Sequence, residues 1–303
     1  MPSALELIES SRQRLERADL FYGHGTDNPE DDAIFLVLHG LGLGYDASEE
    51  QLSATVSASA RASVDALVAR RITERVPSAY LTNRMWFADL EFYVDERVLV
   101  PRSPLAEIIL SRFAPWSDSG QIRRVLEIGT GSGCIALAVA HYLPRASVIA
   151  TDISADALEV AKLNLERHEQ LRDRVQFVHA DLYPAGLATT SDIPGDGFDL
   201  IITNPPYVPA SQMEVLPAEY KGEPEMALLA GEEGLEYIKK IFAEAVEWLA
   251  PQGVVFFDVG NRWAVLEEAF PNLPIVWCEL ERGGEGIGML DRQSLKRSGG
   301  FAG

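Results

Sequence analysis

Asn204-Pro205-Pro206-Tyr207 constrains this 303-residue chain more than any other stretch. It follows Phe198-Asp199-Leu200-Ile201-Ile202-Thr203, a short apolar run that reads as a buried strand. Two consecutive prolines donate no backbone N–H and fix φ, so the strand has to stop there. Asn204 is therefore expected at the carboxyl end of a strand, where open α/β sheets place their ligands. Its side chain offers one carbonyl acceptor and two N–H donors. The backbone carbonyl of Pro205 adds a second acceptor close by. Two acceptors converging on one point suit a substrate NH2 group, although the same residues also make an ordinary strand-ending turn.

A second site element lies upstream. Arg124-Val125-Leu126-Glu127-Ile128 reads as a strand, and Gly129-Thr130-Gly131-Ser132-Gly133 joins it to an apolar helix through Ile135, Leu137 and Ala138. Glycines at such a loop let the backbone approach a ligand without a Cβ clash. The next strand, from Ser147, ends at Asp152, roughly 20 residues beyond the loop, where an acid can bind ribose hydroxyls. The glycine spacing is G-x-G-x-G rather than the G-x-G-x-x-G of a dinucleotide site. A nucleoside-containing cofactor is expected.

Strands and helices alternate throughout this half, which predicts an α/β fold with a largely parallel sheet covered on both faces. A third strand, Val175 to Val178, ends near Asp181, and a fifth runs from Gly253 to Val259. Pro274 to Leu280 and Gly286 to Leu290 form a closing hairpin. Between the fourth strand and a helix at Leu235 to Leu249, the polar segment from Val208 to Gly234 is too long for an ordinary connection, and it reads as a functional cover near the site.

The amino-terminal part is different. From Ala4 to about Arg75 the pattern is helical, with Leu5, Ile8, Leu15 and Ala18 as the stripe of the first helix. Asn28 caps a second helix with Pro29 at its first position. A third carries Val56, Val64, Leu67, Val68 and Ile72. Strand patterns then occupy Trp86-Phe87, Glu91 to Val94 and Val98 to Val100, with a hairpin placed at Asp95-Glu96. The expected organisation is a helical substrate-recognition domain over 1–84, a β-hairpin connector over 85–104, a catalytic domain over 105–297 and a frayed tail over 298–303.

Composition narrows the function classes. Two cysteines, Cys134 and Cys278, give no disulfide framework and suit a reducing cytosol, and five scattered histidines without cysteine pairs make a structural zinc site a poor fit. No apolar run is long enough to cross a bilayer. The formal charge of -20 repels phosphate backbones, and Arg70-Arg71 and Arg123-Arg124 are the basic clusters that stand against it. Such a charge attracts a basic protein partner, and it serves solubility or salt adaptation equally well.

With these residues assembled, the second domain resembles the class I S-adenosylmethionine-dependent methyltransferases. The resemblance implies a Rossmann-like seven-stranded sheet whose final hairpin inserts an antiparallel strand. It implies S-adenosyl-L-methionine as cofactor, with Gly129, Gly131 and Gly133 against the methionine moiety, Asp152 on the ribose and Asp181 near the adenine; Glu127, Thr130 and Asn204 join the expected cofactor set. Asn204, Pro205 and Tyr207 are the expected catalytic residues, the ring packing against a planar amide or base. No metal is expected.

Longer stretches resemble the glutamine methyltransferases of large-subunit ribosomal protein three: Tyr22 to Asn28, Ala79 to Asn83, Phe92 to Pro104 and Glu223-Pro224-Glu225. The related release-factor enzymes carry Pro-Arg-Pro-x-Thr-Glu where this chain has Pro101-Arg102-Ser103-Pro104-Leu105-Ala106. The implied substrate is that ribosomal protein, free or in an early assembly intermediate, without direct nucleic-acid or membrane binding. The alternatives are a release-factor glutamine methyltransferase, an N6-adenine methyltransferase on nucleic acid, and a cofactor-binding assembly factor without catalysis. The resemblance turns the His24 loop from a helix cap into a substrate-facing or domain-packing element.

Overall fold

The structure, a computed structural model, describes residues 1–184 and 197–297; the expected frayed tail at 298–303 lies outside them. Helix α1 (Ala4–Glu16) starts at a capping box in which Ser3 Oγ accepts from the Glu6 amide and the Glu6 carboxylate accepts from the Ser3 amide. Helix α2 (Pro29–Leu41) starts at Asn28, whose Oδ1 accepts from the Asp31 amide at 2.9 Å. A short α3 (Glu49–Ser53), α4 (Ala58–Thr73) and α5 (Ser78–Thr82) complete the helical part. The stripe of α1 departs from the expected one. Ala4, Leu7, Ser11 and Leu15 are buried, whereas Leu5 is 48% exposed. A spacing of three and four residues from Ala4 satisfies the 3.6 period, and the set chosen from apolar residues alone took in Leu5 on the wrong side. Val56 is buried but lies between α3 and α4 rather than on the third helix.

The hairpin also sits elsewhere. Strands β1 (Met85–Phe87) and β2 (Leu90–Phe92) pair antiparallel, with Phe87 opposite Leu90. The turn is Ala88-Asp89, both at positive φ, as a tight hairpin of right-handed twist requires. Because neither residue is glycine or asparagine, the sequence carried no hairpin signal there. Asp95 instead takes up Arg97 through bonds of its carboxylate to the backbone amide and the guanidinium, and Val98 to Val100 is not a strand.

Helix α6 (Leu105–Leu110) leads into the sheet: β3 (Arg124–Ile128), α7 (Cys134–Tyr142), β4 (Ser147–Asp152), α8 (Ala155–Arg167), β5 (Val175–His179) and β6 (Phe198–Thr203). A short α9 (Ala210–Met213), α10 (Glu236–Trp248), β7 (Leu249–Asp258), α11 (Trp263–Ala269), β8 (Val276–Trp277), β9 (Ile287–Asp291) and α12 (Arg292–Arg297) follow. The seven-stranded order is β5-β4-β3-β6-β7-β9-β8. Strands β3 to β7 are mutually parallel, and β9 enters antiparallel between β7 and β8. The chain winds outward in opposite directions from β3 and β6, so a crevice opens between their carboxyl ends, the place where such sheets bind ligands.

Two apolar layers cover the sheet. One packs α6 and α7 through Ile108, Phe113, Leu137 and Val139; the other packs α10 through Ile238, Ile241 and Phe242. A third core, with Leu7, Leu36, Val64 and Val68, holds the amino-terminal helices together. A smaller one joins Tyr80 of α5 and Val94, Val98 and Val100 of the connecting segment to Ala157 and Val160 of α8. The stretch from 208 to 234 contains only short helical turns, and it bonds back on itself through Val208 and Leu228.

Candidate active site

A cleft of about 1150 Å³, mouth included, opens at the β3/β6 switch point. Register explains who meets there. Ile128 pairs with Thr203, whose hydroxyl donates to the Ile128 carbonyl at 2.9 Å, so Gly129 and Asn204 leave adjacent strands side by side. Thr203 likewise pairs with Phe257, which brings Asp258 to the strand end next to Asn204.

On the β3 side, Gly129 and Gly131 stand at φ +75° and +54°, and a Cβ added to either would meet only open space. They leave a cradle against which a ligand can lie in contact with backbone. The loop is fixed from below: the Gly129 and Thr130 amides both donate to the Thr151 carbonyl at 2.9 Å. Asp152 accepts from the Gly131 amide at 2.8 Å through Oδ2 and from the Ser154 amide at 2.8 Å through Oδ1. Each oxygen keeps further lone pairs for an incoming hydroxyl. Burial pushes the Asp152 carboxyl up, against the pull of these amides. Asp181 is exposed and lines the cleft beside Leu182, a non-glycine residue at φ +63° whose carbonyl is held by the Thr151 hydroxyl at 2.6 Å.

Glu127 lies under the loop, fully buried and away from the cleft lining. Its Oε2 accepts from the Thr130 hydroxyl at 2.6 Å, while Oε1 has no hydrogen-bond partner. Burial drives its carboxyl up to about 8, so it is largely neutral at pH 7.

On the β6 side, Asn204, Pro205 and Pro206 line the cleft. The Asn204 Oδ1 is buried without a hydrogen-bond partner, a costly condition that a bound N–H would relieve. Tyr207 is not among the lining residues. Its ring seats on Gly260, where any Cβ would come within 2.9 Å of it. Burial, and then the charge of Asp258, raise its hydroxyl above the ordinary tyrosine value. Asp258 itself is buried, accepts from the Ser103 hydroxyl at 2.6 Å and the Gly260 amide at 2.9 Å, and is raised by burial to about 6.

A family model described as the methyltransferase small domain matches residues 106–218. A ribosomal protein uL3 glutamine methyltransferase of Neisseria gonorrhoeae is 40% identical over 291 residues, covering 96% of this chain and 94% of its own. Its counterpart in Neisseria meningitidis serogroup B is also 40% identical, over 96% of this chain and 93% of its own. The chain belongs to the ribosomal protein uL3 glutamine methyltransferase family. Among solved structures, the N-terminal domain of human METTL16 in complex with SAH is similar with a TM-score of 0.44 at 20% identity, covering 65% of this chain and 74% of that one.

In this uL3 glutamine methyltransferase family member Gly129, Thr130 and Gly131 of the glycine loop, Asp152, Asp181 and Asn204 come together around one cleft, whereas Glu127, Gly133 and Tyr207 stand one layer away from it; a Cβ at Gly133 would meet Phe177 and Ala161 rather than the cleft. Arg102, Ser103, Leu182 and Met226 are among the cleft residues that were not singled out from sequence as site residues. The first two carried a signal, since Arg102 is a cation between prolines in a chain with 46 acids. Leu182 and Met226 carried none, because nothing in an apolar residue marks it as lining a cavity. No group of three or more His, Cys, Asp or Glu that could hold a metal is present among the described residues.

Proposed function

We propose that this methyltransferase transfers a methyl group from S-adenosylmethionine to the side-chain amide nitrogen of a glutamine in ribosomal protein uL3. The observation that carries this reading is the buried, unpartnered Oδ1 of Asn204 on the wall of the cleft. The names of the full-length relatives supply the substrate.

The cradle fits the donor. Gly129 and Gly131 leave room for a methionine moiety, with Thr130 and Gly133 completing the turn and Glu127 stiffening it through Thr130. Asp152 would take ribose hydroxyls and Asp181 the adenine edge. When bound, S-adenosylmethionine supplies an electrophilic sulfonium methyl. The rest is the work of the chain.

An amide nitrogen is a weak nucleophile because its lone pair is delocalised into the carbonyl. Asn204 Oδ1 and the Pro205 carbonyl would each accept one N–H of the amide, which orients the nitrogen and stabilises the positive charge that grows on it. Holding the nitrogen in line removes much of the entropic cost of the encounter. Tyr207, locked on Gly260, fixes the loop that presents both acceptors. The surplus proton leaves to water after transfer, so no strong base is required. The helical part over 1–84 would present the ribosomal protein, 85–104 would connect it, and 105–297 would carry out the transfer. The partner is free uL3 or an early assembly intermediate, met in the cytoplasm; a charge of -20 favours the encounter with a basic protein.

The test is competitive. Purified enzyme with methyl-labelled S-adenosylmethionine is offered uL3, a release factor and nucleic acid in parallel. Label on uL3 is expected. Label on the release factor or on nucleic acid with uL3 unlabelled would overturn the substrate assignment.

A further inference from the structure

Three segments far apart in sequence meet beside the cleft wall. Glu223, from the long cover, is buried, and its Oε1 accepts from the Val100 amide at 3.0 Å. Both of its oxygens receive the Arg102 guanidinium, with Oε2 accepting from Nη2 at 2.8 Å. His24, from the loop ahead of α2, places Nε2 3.4 Å from Glu223 Oε2. Tyr220 fills the remaining space, with the His24 ring centroid 4.4 Å from its own and the Arg102 guanidinium 5.5 Å over its face.

This is an expensive way to build a wall. Burial alone would raise the Glu223 carboxyl, yet His24 and Arg102 outweigh it and hold the group at about 2. Neither ring nitrogen of His24, itself 4% exposed, makes a hydrogen bond of good geometry. Apolar side chains would fill the same space at lower cost in desolvation. What the ion pair provides is direction, because a guanidinium is a planar fork and its orientation follows that of its bidentate partner. Arg102 lines the cleft together with Pro101 and Ser103. Glu219, four residues before Glu223, ties the same cover to the helical part by accepting from the Phe21 amide at 3.0 Å and Arg75 at 3.1 Å.

We infer that Glu223 and His24 are positioning residues, through which the amino-terminal helical part sets the orientation of Arg102 in the cleft. Arg102 then donates to an oxygen acceptor there, a carboxylate of the methyl donor or a peptide carbonyl beside the target glutamine. This inference rests on the methyl-transfer reading for the identity of the acceptor, but not for the positioning itself. His24 acts through Glu223 and takes no proton from the substrate.

Two measurements on the full-length protein test it. The first follows the Arg102 Nε–H resonance, assigned by its loss in Arg102→Lys. His24→Asn should shift or broaden it with the unfolding temperature little changed, and Glu223→Gln should do so with a lowered unfolding temperature, since Arg102 then loses its buried counter-ion; an unmoved resonance in both folded variants would overturn the positioning role. This arm stands even if uL3 proves not to be the substrate. The second is a cycle in methyl-transfer kcat/KM between His24→Asn and Arg102→Lys, residues joined through the Glu223 carboxylate and also packed on the two sides of Tyr220. Their combined effect should fall short of the product of the single effects by about fivefold or more, and the shortfall should vanish in Glu223→Gln. Multiplying effects would contradict the relay. Weaker S-adenosylhomocysteine binding in Arg102→Lys would place the acceptor on the donor; a higher KM for protein with unchanged S-adenosylhomocysteine affinity would place it on the substrate. If neither changes, Arg102 has no acceptor in the cleft and the inference fails.

Discussion

Asn204 Oδ1 has been removed from water and given no protein partner, and a folded chain tolerates that cost where a ligand repays it. Replacing Asn204 by Ala should therefore leave affinity for the methyl donor nearly intact while lowering turnover on the order of 10² or more. Calorimetry with S-adenosylhomocysteine and single-turnover transfer separate the two quantities, and near-normal turnover would remove Asn204 from the mechanism. Glu127 makes the opposite kind of prediction. Burial raises its carboxyl from the ordinary 4.5 to about 8, so the folded state holds a proton that the unfolded chain has already released. Its contribution to stability is complete below about pH 4.5 and is lost as pH rises through about 8. Glu127→Gln cannot ionise. Without donor present, its melting temperature should hold between roughly pH 7 and 9 while that of the parent falls by a few degrees more. Parallel curves would show that Glu127 does not titrate in that range.

At the scale of elements, the register of α1 is the sharpest place where sequence and structure part. Leu7 is buried and Leu5 is 48% exposed, so Leu7→Ala should cost about 2–5 kcal/mol and Leu5→Ala less than about 0.5 kcal/mol in denaturant unfolding. Equal costs would contradict the packing of this helix. Strands β3 and β6 were legible because each is a short apolar run closed by a breaker, Gly129 directly after β3 and Pro205 just beyond β6. The antiparallel insertion of β9 was legible through the resemblance. The β1–β2 hairpin was not, since Ala88 and Asp89 adopt positive φ under tertiary constraint rather than by preference. Most of the cleft was readable for the same reason as the strands, because strand ends are marked in sequence. Its far wall was not. Arg102 and Ser103 are held at the site by Glu223 and Asp258, more than a hundred residues away in sequence.

Taken as a whole, the molecule ties its helical amino-terminal part and the wall of its cleft to one shared segment. The cover from 208 to 234 bonds to α4 through Glu219, whose buried carboxylate meets Arg71 at 3.4 Å, and to the cleft wall through Glu223. Under the proposed reading, a protein substrate held by the helical part would be referred to the same frame as the cleft. On the same reading, the acidic balance of 46 acids to 26 bases suits a basic protein partner. Within this account the chemistry rests on an amide nitrogen presented between Asn204 and Pro205. Tandem mass spectrometry of uL3 after incubation with the enzyme and S-adenosylmethionine tests that directly. One added methyl on the side-chain nitrogen of a single glutamine is expected, absent with the Asn204→Ala enzyme; a methyl on a lysine, an arginine or a backbone amine would contradict amide-nitrogen transfer.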